Sequence, residues 1–145
     1  MTTVAAILRH KGDEVVTVAP NTTIAELARV LRDRRIGAVL VTDRIDQMLG
    51  IVSERDIVNS LAGVGAITLE MTAAQLMTRV LNTVTPETTV VQAMTMMTER
   101  RVRHLPVIAH QQVVGMISIG DVVKARILAQ DQAVDSLRAY IAGTG

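Results

Sequence analysis

The feature that most constrains the fold of this chain is an internal duplication. Residues 16–24 and 82–90 align at an offset of 66, and both segments contain a proline followed by Thr-Thr and a β-branched apolar residue. The same offset carries residues 34–36 onto 100–102, and an offset of 65 carries Gly50 and its neighbours onto Gly115. A period this long indicates two copies of one structural unit rather than a solenoid of short repeats.

The residue pattern in each copy predicts the element order β-α-β-β-α. Threonine and a polar residue three positions later form capping boxes at Thr23 and Thr89, and apolar residues at helical spacing follow. Helices are also expected before Gly12 and from Asp121 onwards. The predicted strands are 15–18, 38–41 and 49–52 in the first copy, and 81–84, 105–108 and 113–117 in the second.

One copy has too little interior to be stable alone. We therefore expect an α+β fold in which two β-α-β-β-α repeats pack through their sheets about a pseudo-twofold axis. The predicted division is residues 1–70, a first repeat with an N-terminal helix, and residues 71–145, a second repeat with a C-terminal helix.

Composition narrows the possible functions. The 145 residues are 49% hydrophobic and 20% charged, so a folded core is expected. The net charge is only +1 and aromatic residues make up 1%, which disfavours nucleic acid and membrane surfaces as partners. The absence of cysteine, of an apolar run long enough for a membrane span and of a visible signal peptide favours a cytoplasmic setting.

Motifs for catalysis are not found. The three histidines, His10, His104 and His110, do not have the spacing of a zinc-binding helix. The sequence contains no phosphate-binding Walker loop, no GxGxxG turn and no GxSxG nucleophile motif. The chain is therefore expected to be neither an enzyme nor a metalloprotein.

A Ser-x-x-Asp motif starts a predicted helix in each copy, as Ser53 with Asp56 and Ser118 with Asp121. The simplest interpretation is helix capping, worth about 1 kcal/mol at each site. A second interpretation is ligand binding, because a carboxylate offers two acceptors to the two hydroxyls of a ribose. The serine and the free N–H groups of the helix start would then receive a phosphate. Capping and binding are compatible.

The chain resembles the tandem cystathionine-β-synthase-type (CBS) domain pair, or Bateman module. The resemblance covers nearly the whole chain, and its strength comes from two copies of weak motifs in the same register. Members of this family commonly bind adenosine-containing ligands in clefts between the two repeats. The segments that carry the resemblance are 18–24, 35–41 and 50–57 in the first copy, and 84–90, 103–107 and 115–122 in the second.

This resemblance implies a set of nucleotide-binding residues. In the first copy they are Val18, Ile36, Gly37, Ala38, Ser53, Arg55 and Asp56. In the second copy they are Val84, Arg103, His104, Leu105, Pro106, Ser118 and Asp121. The valines, Ile36 and Leu105 are candidates for an apolar adenine slot or for ordinary core, and Arg103 and His104 for phosphate contacts. The first copy has Leu40 in place of Pro106, which makes its site the weaker match.

The implied function is a regulatory module that senses an adenosine nucleotide. AMP, ADP and ATP are the expected ligands, with NAD or S-adenosylmethionine as alternatives. A homodimer is expected, together with an unidentified regulated protein. The competing hypothesis is a ligand-free module for protein–protein interaction or dimerisation.

Overall fold

The computed structural model describes residues 2–12, 14–44, 47–79 and 82–144. In chain order the helices are α1 (Val4–Lys11), α2 (Ile24–Arg34), α3 (Glu54–Val64), α4 (Ala73–Leu76), α5 (Val90–Arg100) and α6 (Ile119–Thr144), with a 3-10 helix at Gly65–Glu70. The strands are β1 (Thr17–Val18), β2 (Ala38–Thr42), β3 (Met48–Ser53), β4 (Thr78–Arg79), β5 (His104–Ala109) and β6 (Gln112–Ser118).

The chain folds into two compact units. Val15–Leu81 form the N-repeat unit, and Met1–Glu14 with Asn82–Gly145 form the C-repeat unit. The N-repeat unit contains a four-stranded sheet in the order β1-β2-β3-β4, and the C-repeat unit a two-stranded sheet of β5 and β6. The predicted α+β class is confirmed, and so are the helices that start after Ser53 and Ser118.

The first strand of the two copies differs. In the N-repeat, β1 pairs in parallel with β2, and the Leu40 N–H donates to Val16 O at 3.1 Å. In the C-repeat, the corresponding pairing is a single bridge between Val84 and Val107. Pro106 replaces Leu40 there and has no N–H, so the duplicate of the Leu40 bond cannot form. Part of the strand predicted at 81–84 lies outside the described residues.

Strand β4 was not predicted. It runs antiparallel to β3, with Gly50 opposite Arg79 and Ile51 opposite Thr78. Two residues are too few to show the alternation of apolar and polar positions by which a strand is recognised in a sequence. Its place in the fold comes from tertiary pairing with β3.

Two short helices precede the two copies in the sequence, and each of them packs against the other copy. Helix α1 precedes the first copy in the chain, yet the Val4 and Ala5 N–H groups donate to Thr88 O and Pro86 O, at 2.8 and 2.9 Å. The sequence places this helix ahead of the first repeat, and in the structure it belongs to the C-repeat unit. The division of the duplication at residues 70 and 71 stays a prediction.

Helix α4 is the counterpart of α1 in the other unit. The Ala73 and Ala74 N–H groups donate to Thr22 O and Pro20 O at 2.8 and 2.9 Å. These bonds repeat, in the N-repeat unit, the pattern that joins α1 to the C-repeat. The sequence showed that both copies have a leading helix, but not which copy each helix packs against.

The two hydrophobic cores are duplicates of each other. Every core residue of the N-repeat has a counterpart in the C-repeat core at an offset of 65, 66 or 69. The N-repeat core consists of Ile24, Leu27, Leu31, Val39, Val41, Val52, Ile57 and Ala73. The C-repeat core consists of Val4, Ile7, Val84, Val90, Ala93, Met97, Leu105, Val107, Ile117 and Val122.

Candidate functional site

In the C-repeat unit the candidate site is built around the start of α6. The Ser118 N–H donates to Asp121 Oδ2 at 2.8 Å, and the Asp121 N–H donates to Ser118 Oγ at 3.2 Å. This reciprocal pair is a capping box, which satisfies two backbone donors that the helix cannot satisfy internally. The capping interpretation of the Ser-x-x-Asp motif is therefore confirmed here.

The Asp121 side chain also forms an ion pair with a lysine from the N-terminal segment of the same unit. Lys11 Nζ, at the end of α1, lies 2.6 Å from Asp121 Oδ2 and donates to Met116 O at 2.9 Å. The Asp121 side chain is 24% exposed and that of Lys11 37%. Burial raises the pKa of Asp121, but the hydrogen bonds from Lys11 and Ser118 and the positive charge of Lys11 outweigh it, so the pKa lies below its ordinary value.

The start of β5 lies beside this helix start. In the β5–β6 register His104 is opposite Ser118, and the Ile119 N–H donates to Arg103 O at 2.8 Å. The Arg103 side chain is exposed and His104 is partly buried. The structure thus brings Arg103, His104, Ser118 and Asp121 to one end of the β5–β6 hairpin.

The N-repeat unit repeats this arrangement at the start of α3. The Ser53 N–H donates to Asp56 Oδ2 at 2.8 Å, and the Asp56 N–H donates to Ser53 Oγ at 3.2 Å. Ala38 is opposite Ser53 in the β2–β3 register, and the Glu54 N–H donates to Gly37 O at 2.9 Å. The predicted residues Gly37, Ala38, Ser53 and Asp56 are therefore close together.

The two helix starts differ in their charged neighbours. Arg55, in the first turn of α3, is exposed, and Gly120 stands at the duplicate position in α6. The Ser53 hydroxyl donates a further hydrogen bond to Asp56 Oδ2 at 3.0 Å. Asp121 receives the Lys11 ammonium at its Oδ2 instead.

The apolar candidates are divided between surface and core. Val18 and Ile36 are partly buried, whereas Val84 and Leu105 are 3% and 0% exposed and belong to the C-repeat core. Pro106 is also buried, and its carbonyl accepts from the Val84 N–H at 3.0 Å. Both roles that the sequence left open, core and adenine slot, remain compatible with Val18 and Ile36, and the core role is confirmed for Val84 and Leu105.

Sequence reasoning missed Lys11 as a neighbour of the candidate site. Lys11 is 110 residues from Asp121 in the chain, and it reaches the carboxylate only because α1 packs in the C-repeat unit. The cluster Arg9-His10-Lys11 in the last turn of α1 was a visible basic signal. Nothing in that signal identifies the acidic residue that it meets.

Two further searches concern the described residues only. No group of three or more histidine, aspartate and glutamate side chains among them is arranged to hold a metal ion. No helix in the described part of the chain is both long enough and apolar enough to cross a bilayer.

Comparison with known proteins identifies the family. The sequence model of the CBS domain matches residues 4–63 and 73–128. The mitochondrial CBS domain-containing protein CBSX3 of Arabidopsis thaliana is 33% identical over 150 residues, which cover 98% of this chain and 73% of the relative.

Solved structures agree with this match. A CBS-domain-containing protein of Agrobacterium tumefaciens is 45% identical, with a TM-score of 0.83 and coverage of 86% of this chain and 93% of that one. A CBS domain protein of Pyrobaculum aerophilum, solved in complex with AMP, is 27% identical, with a TM-score of 0.72 and coverage of 82% and 88%. The chain described here therefore belongs to the CBS domain family and carries two CBS domains in tandem.

Proposed function

We propose that this chain is a regulatory module that binds an adenosine nucleotide at the Ser-x-x-Asp helix starts of its two repeats. The proposal rests on an arrangement that both repeats share, in which a hydrogen bond links the start of a helix to the residue just before a strand. Asp56 and Asp121 each sit in a capping box, and the first helical N–H beyond each serine is bonded to Gly37 O or Arg103 O. These hydrogen bonds hold the carboxylate in place before any ligand binds, which lowers the entropy lost on binding.

The carboxylates retain acceptor capacity for a ribose. Every hydrogen bond described for the Asp121 carboxylate is accepted by Oδ2, and the same is true of the Asp56 carboxylate. Oδ1 of each residue can therefore accept from both ribose hydroxyls, because a carboxylate has about four lone-pair sites and two of them are on Oδ1. A hydrogen bond to a charged acceptor contributes about 1.5–3 kcal/mol.

The phosphate would lie at the helix start, where N–H groups of the first turn point out of the helix. In the C-repeat, Gly120 offers its amide without a side chain, and Arg103 and His104 lie on the adjacent strand start. In the N-repeat, Gly37 and Ala38 occupy that strand start, and Arg55 supplies charge from the helix. We infer that the C-repeat is the stronger phosphate site.

The relative from Pyrobaculum aerophilum supports this class of ligand, because its structure contains AMP and it resembles this chain over most of its length. AMP, ADP and ATP are the proposed ligands, with NAD and S-adenosylmethionine as the alternatives. We propose no catalytic residues, a cytoplasmic setting, a homodimer, and an unidentified protein that responds to the bound state.

A thermal unfolding screen tests this proposal. Purified protein is heated with AMP, ADP, ATP, NAD or S-adenosylmethionine, with GMP as the matched non-adenine control. A ligand at one hundred times its Kd should stabilise the protein by about 2.7 kcal/mol. Stabilisation by adenosine compounds but not GMP supports the proposal. No shift at millimolar concentration with any of them contradicts it.

The second candidate function is a ligand-free dimerisation module. It is favoured by the row of exposed apolar side chains along α6, which includes Ile127, Val134, Leu137 and Ile141. Mass spectrometry of the denatured protein separates the two functions. Release of an adenosine compound in stoichiometric amount supports the nucleotide sensor, and a dimer that neither releases nor binds such compounds supports the alternative.

A further inference from the structure

The outer half of α6 is exposed along its whole length in the part of the chain that the structure describes. From Gln130 to Ala142 every residue is exposed. The match to the CBS domain ends at residue 128, so this segment is an addition to the conserved domain. Isolated helices of about this length are marginal in water, because most helical stability in proteins comes from packing of one apolar face. A partner on the apolar face of this segment would supply such packing.

Exposed apolar side chains on one face of α6 form a stripe that is interrupted at one position. They recur at alternating intervals of four and three residues, which is the heptad pattern of a coiled coil. Gln130 occupies the one polar position in the series. The apolar members are Val123, Ile127, Val134, Leu137 and Ile141, with exposed fractions of 42%, 52%, 46%, 59% and 60%.

The charges beside the stripe select the orientation of the partner. With Ile127, Val134 and Ile141 at the a positions, Arg126 occupies a g position and Asp131 the following e position. In a parallel pair these two positions face each other across the interface, so opposite charges meet twice. In an antiparallel pair with the same core, e positions face e positions, and Asp131 would meet its own copy.

We propose that residues 123–141 of α6 pair in parallel with the same segment of a second copy of this chain. Gln130 then faces Gln130 of the second copy at a d position, where paired amides hydrogen-bond and fix the register at some cost in stability. Ile127, Val134 and Ile141 fill the a layers, and β-branched residues at these positions favour two strands. The proposal deepens the proposed homodimer and does not depend on nucleotide binding.

Disulfide trapping tests the orientation directly, since the chain has no native cysteine. Leu137→Cys places a thiol at a d position, which in a parallel pair lies opposite its own copy within reach of a disulfide. Ser136→Cys, on the adjacent exposed position outside the stripe, is the matched control. We expect mild oxidation to convert most of the Leu137→Cys protein, and little of the control, into a covalent dimer.

An equimolar mixture of Ile127→Cys and Leu137→Cys proteins tests the opposite orientation. An antiparallel pair brings these two positions together and would give the mixed disulfide in preference to the Leu137 homodimer. That result, or equal crosslinking by Leu137→Cys and Ser136→Cys, would overturn the proposal.

Sedimentation of a second pair of variants tests association without crosslinking. Leu137→Asp should weaken self-association at least tenfold and lower the helical signal in far-ultraviolet circular dichroism, whereas Ser136→Asp should do neither. Unchanged association and helicity of Leu137→Asp would also refute the pairing. Both variants should keep the nucleotide-induced thermal shift of the parent, so failure of this proposal is distinguishable from failure of the proposed function.

Discussion

Lys11 and Asp121 are joined by a 2.6 Å ion pair that ties the end of α1 to the start of α6. Lys11 also donates to Met116 O, on the edge of β6. In the other unit β4 occupies the corresponding edge, with Thr78 opposite Ile51. The Lys11 ammonium group thus contacts, in the C-repeat, the strand edge that β4 covers in the N-repeat. It also places a positive charge beside Asp121, the candidate ribose-binding carboxylate.

The first prediction concerns the strength of this ion pair. A double-mutant cycle of Lys11→Met and Asp121→Asn, followed by urea unfolding, should give a coupling of about 0.5–1 kcal/mol, because both side chains are partly exposed. The asparagine oxygen can still accept from the Ser118 N–H, so the helix cap is kept. A coupling indistinguishable from zero would show that the pair does not stabilise the fold.

The second prediction concerns acid stability. The pKa of Asp121 is lowered in the folded state, so its ionised form stabilises the fold fully above the unfolded pKa of about 3.9. This contribution is lost as the pH falls below about 4 through the folded pKa. Lys11→Met should therefore reduce stability at pH 6 and reduce it less at pH 2.5. Urea midpoints at these two pH values measure the effect, and equal losses at both would contradict it.

The third prediction concerns the glycines where the leading helices meet the sheets. A Cβ added at Gly50 would lie 2.7 Å from Thr78 O and 2.8 Å from Met77 Sδ. At Gly115 it would lie 2.6 Å from Leu8 Cδ2, the movable end of a side chain. Gly115→Ala should cost about 1–3 kcal/mol, the usual range for overpacking, and Gly50→Ala should cost more, because a backbone carbonyl cannot rotate away.

Gly63→Ala is the matched control for this pair. Gly63 lies in α3, and an added Cβ there meets nothing within 4 Å. Alanine is the better helix former by about 1 kcal/mol, so this change should raise the melting temperature. If all three substitutions had the same sign and size, close packing at Gly50 and Gly115 would not be the cause.

Most of the fold could be predicted from the sequence because the two copies of the duplicated unit can be aligned with each other. The alignment of Thr23 with Thr89, and of Ser53 with Ser118, located the helix starts, since these residues must satisfy backbone N–H groups wherever such a helix begins. The same alignment located β2, β3, β5 and β6 to within one residue at either end.

What could not be predicted depends on contacts between distant segments. Strand β4 is only two residues long and owes its existence to β3. Packing of α1 in the C-repeat unit, and with it the approach of Lys11 to Asp121, depends on how the chain crosses between units. No local pattern at Lys11 encodes its distance to Asp121. The buried state of Val84 and Leu105 likewise followed only from packing.

The central claim is that a helix-start carboxylate accepts the ribose hydroxyls of an adenosine nucleotide. Isothermal titration of AMP and 2′-deoxy-AMP into the parent protein, Asp121→Asn and Asp56→Asn measures this directly. Asp33→Asn is the control, because Asp33 is an exposed aspartate paired with Arg32 on α2.

Loss of the 2′-hydroxyl should weaken binding to the parent by about 1.5–3 kcal/mol, or roughly 10- to 150-fold, as expected for a hydrogen bond to a charged group. In Asp121→Asn that difference should shrink at the C-repeat site, and in Asp33→Asn it should persist. Equal affinity of the parent protein for AMP and 2′-deoxy-AMP, or the same discrimination in Asp121→Asn and Asp56→Asn as in the parent, would contradict the account.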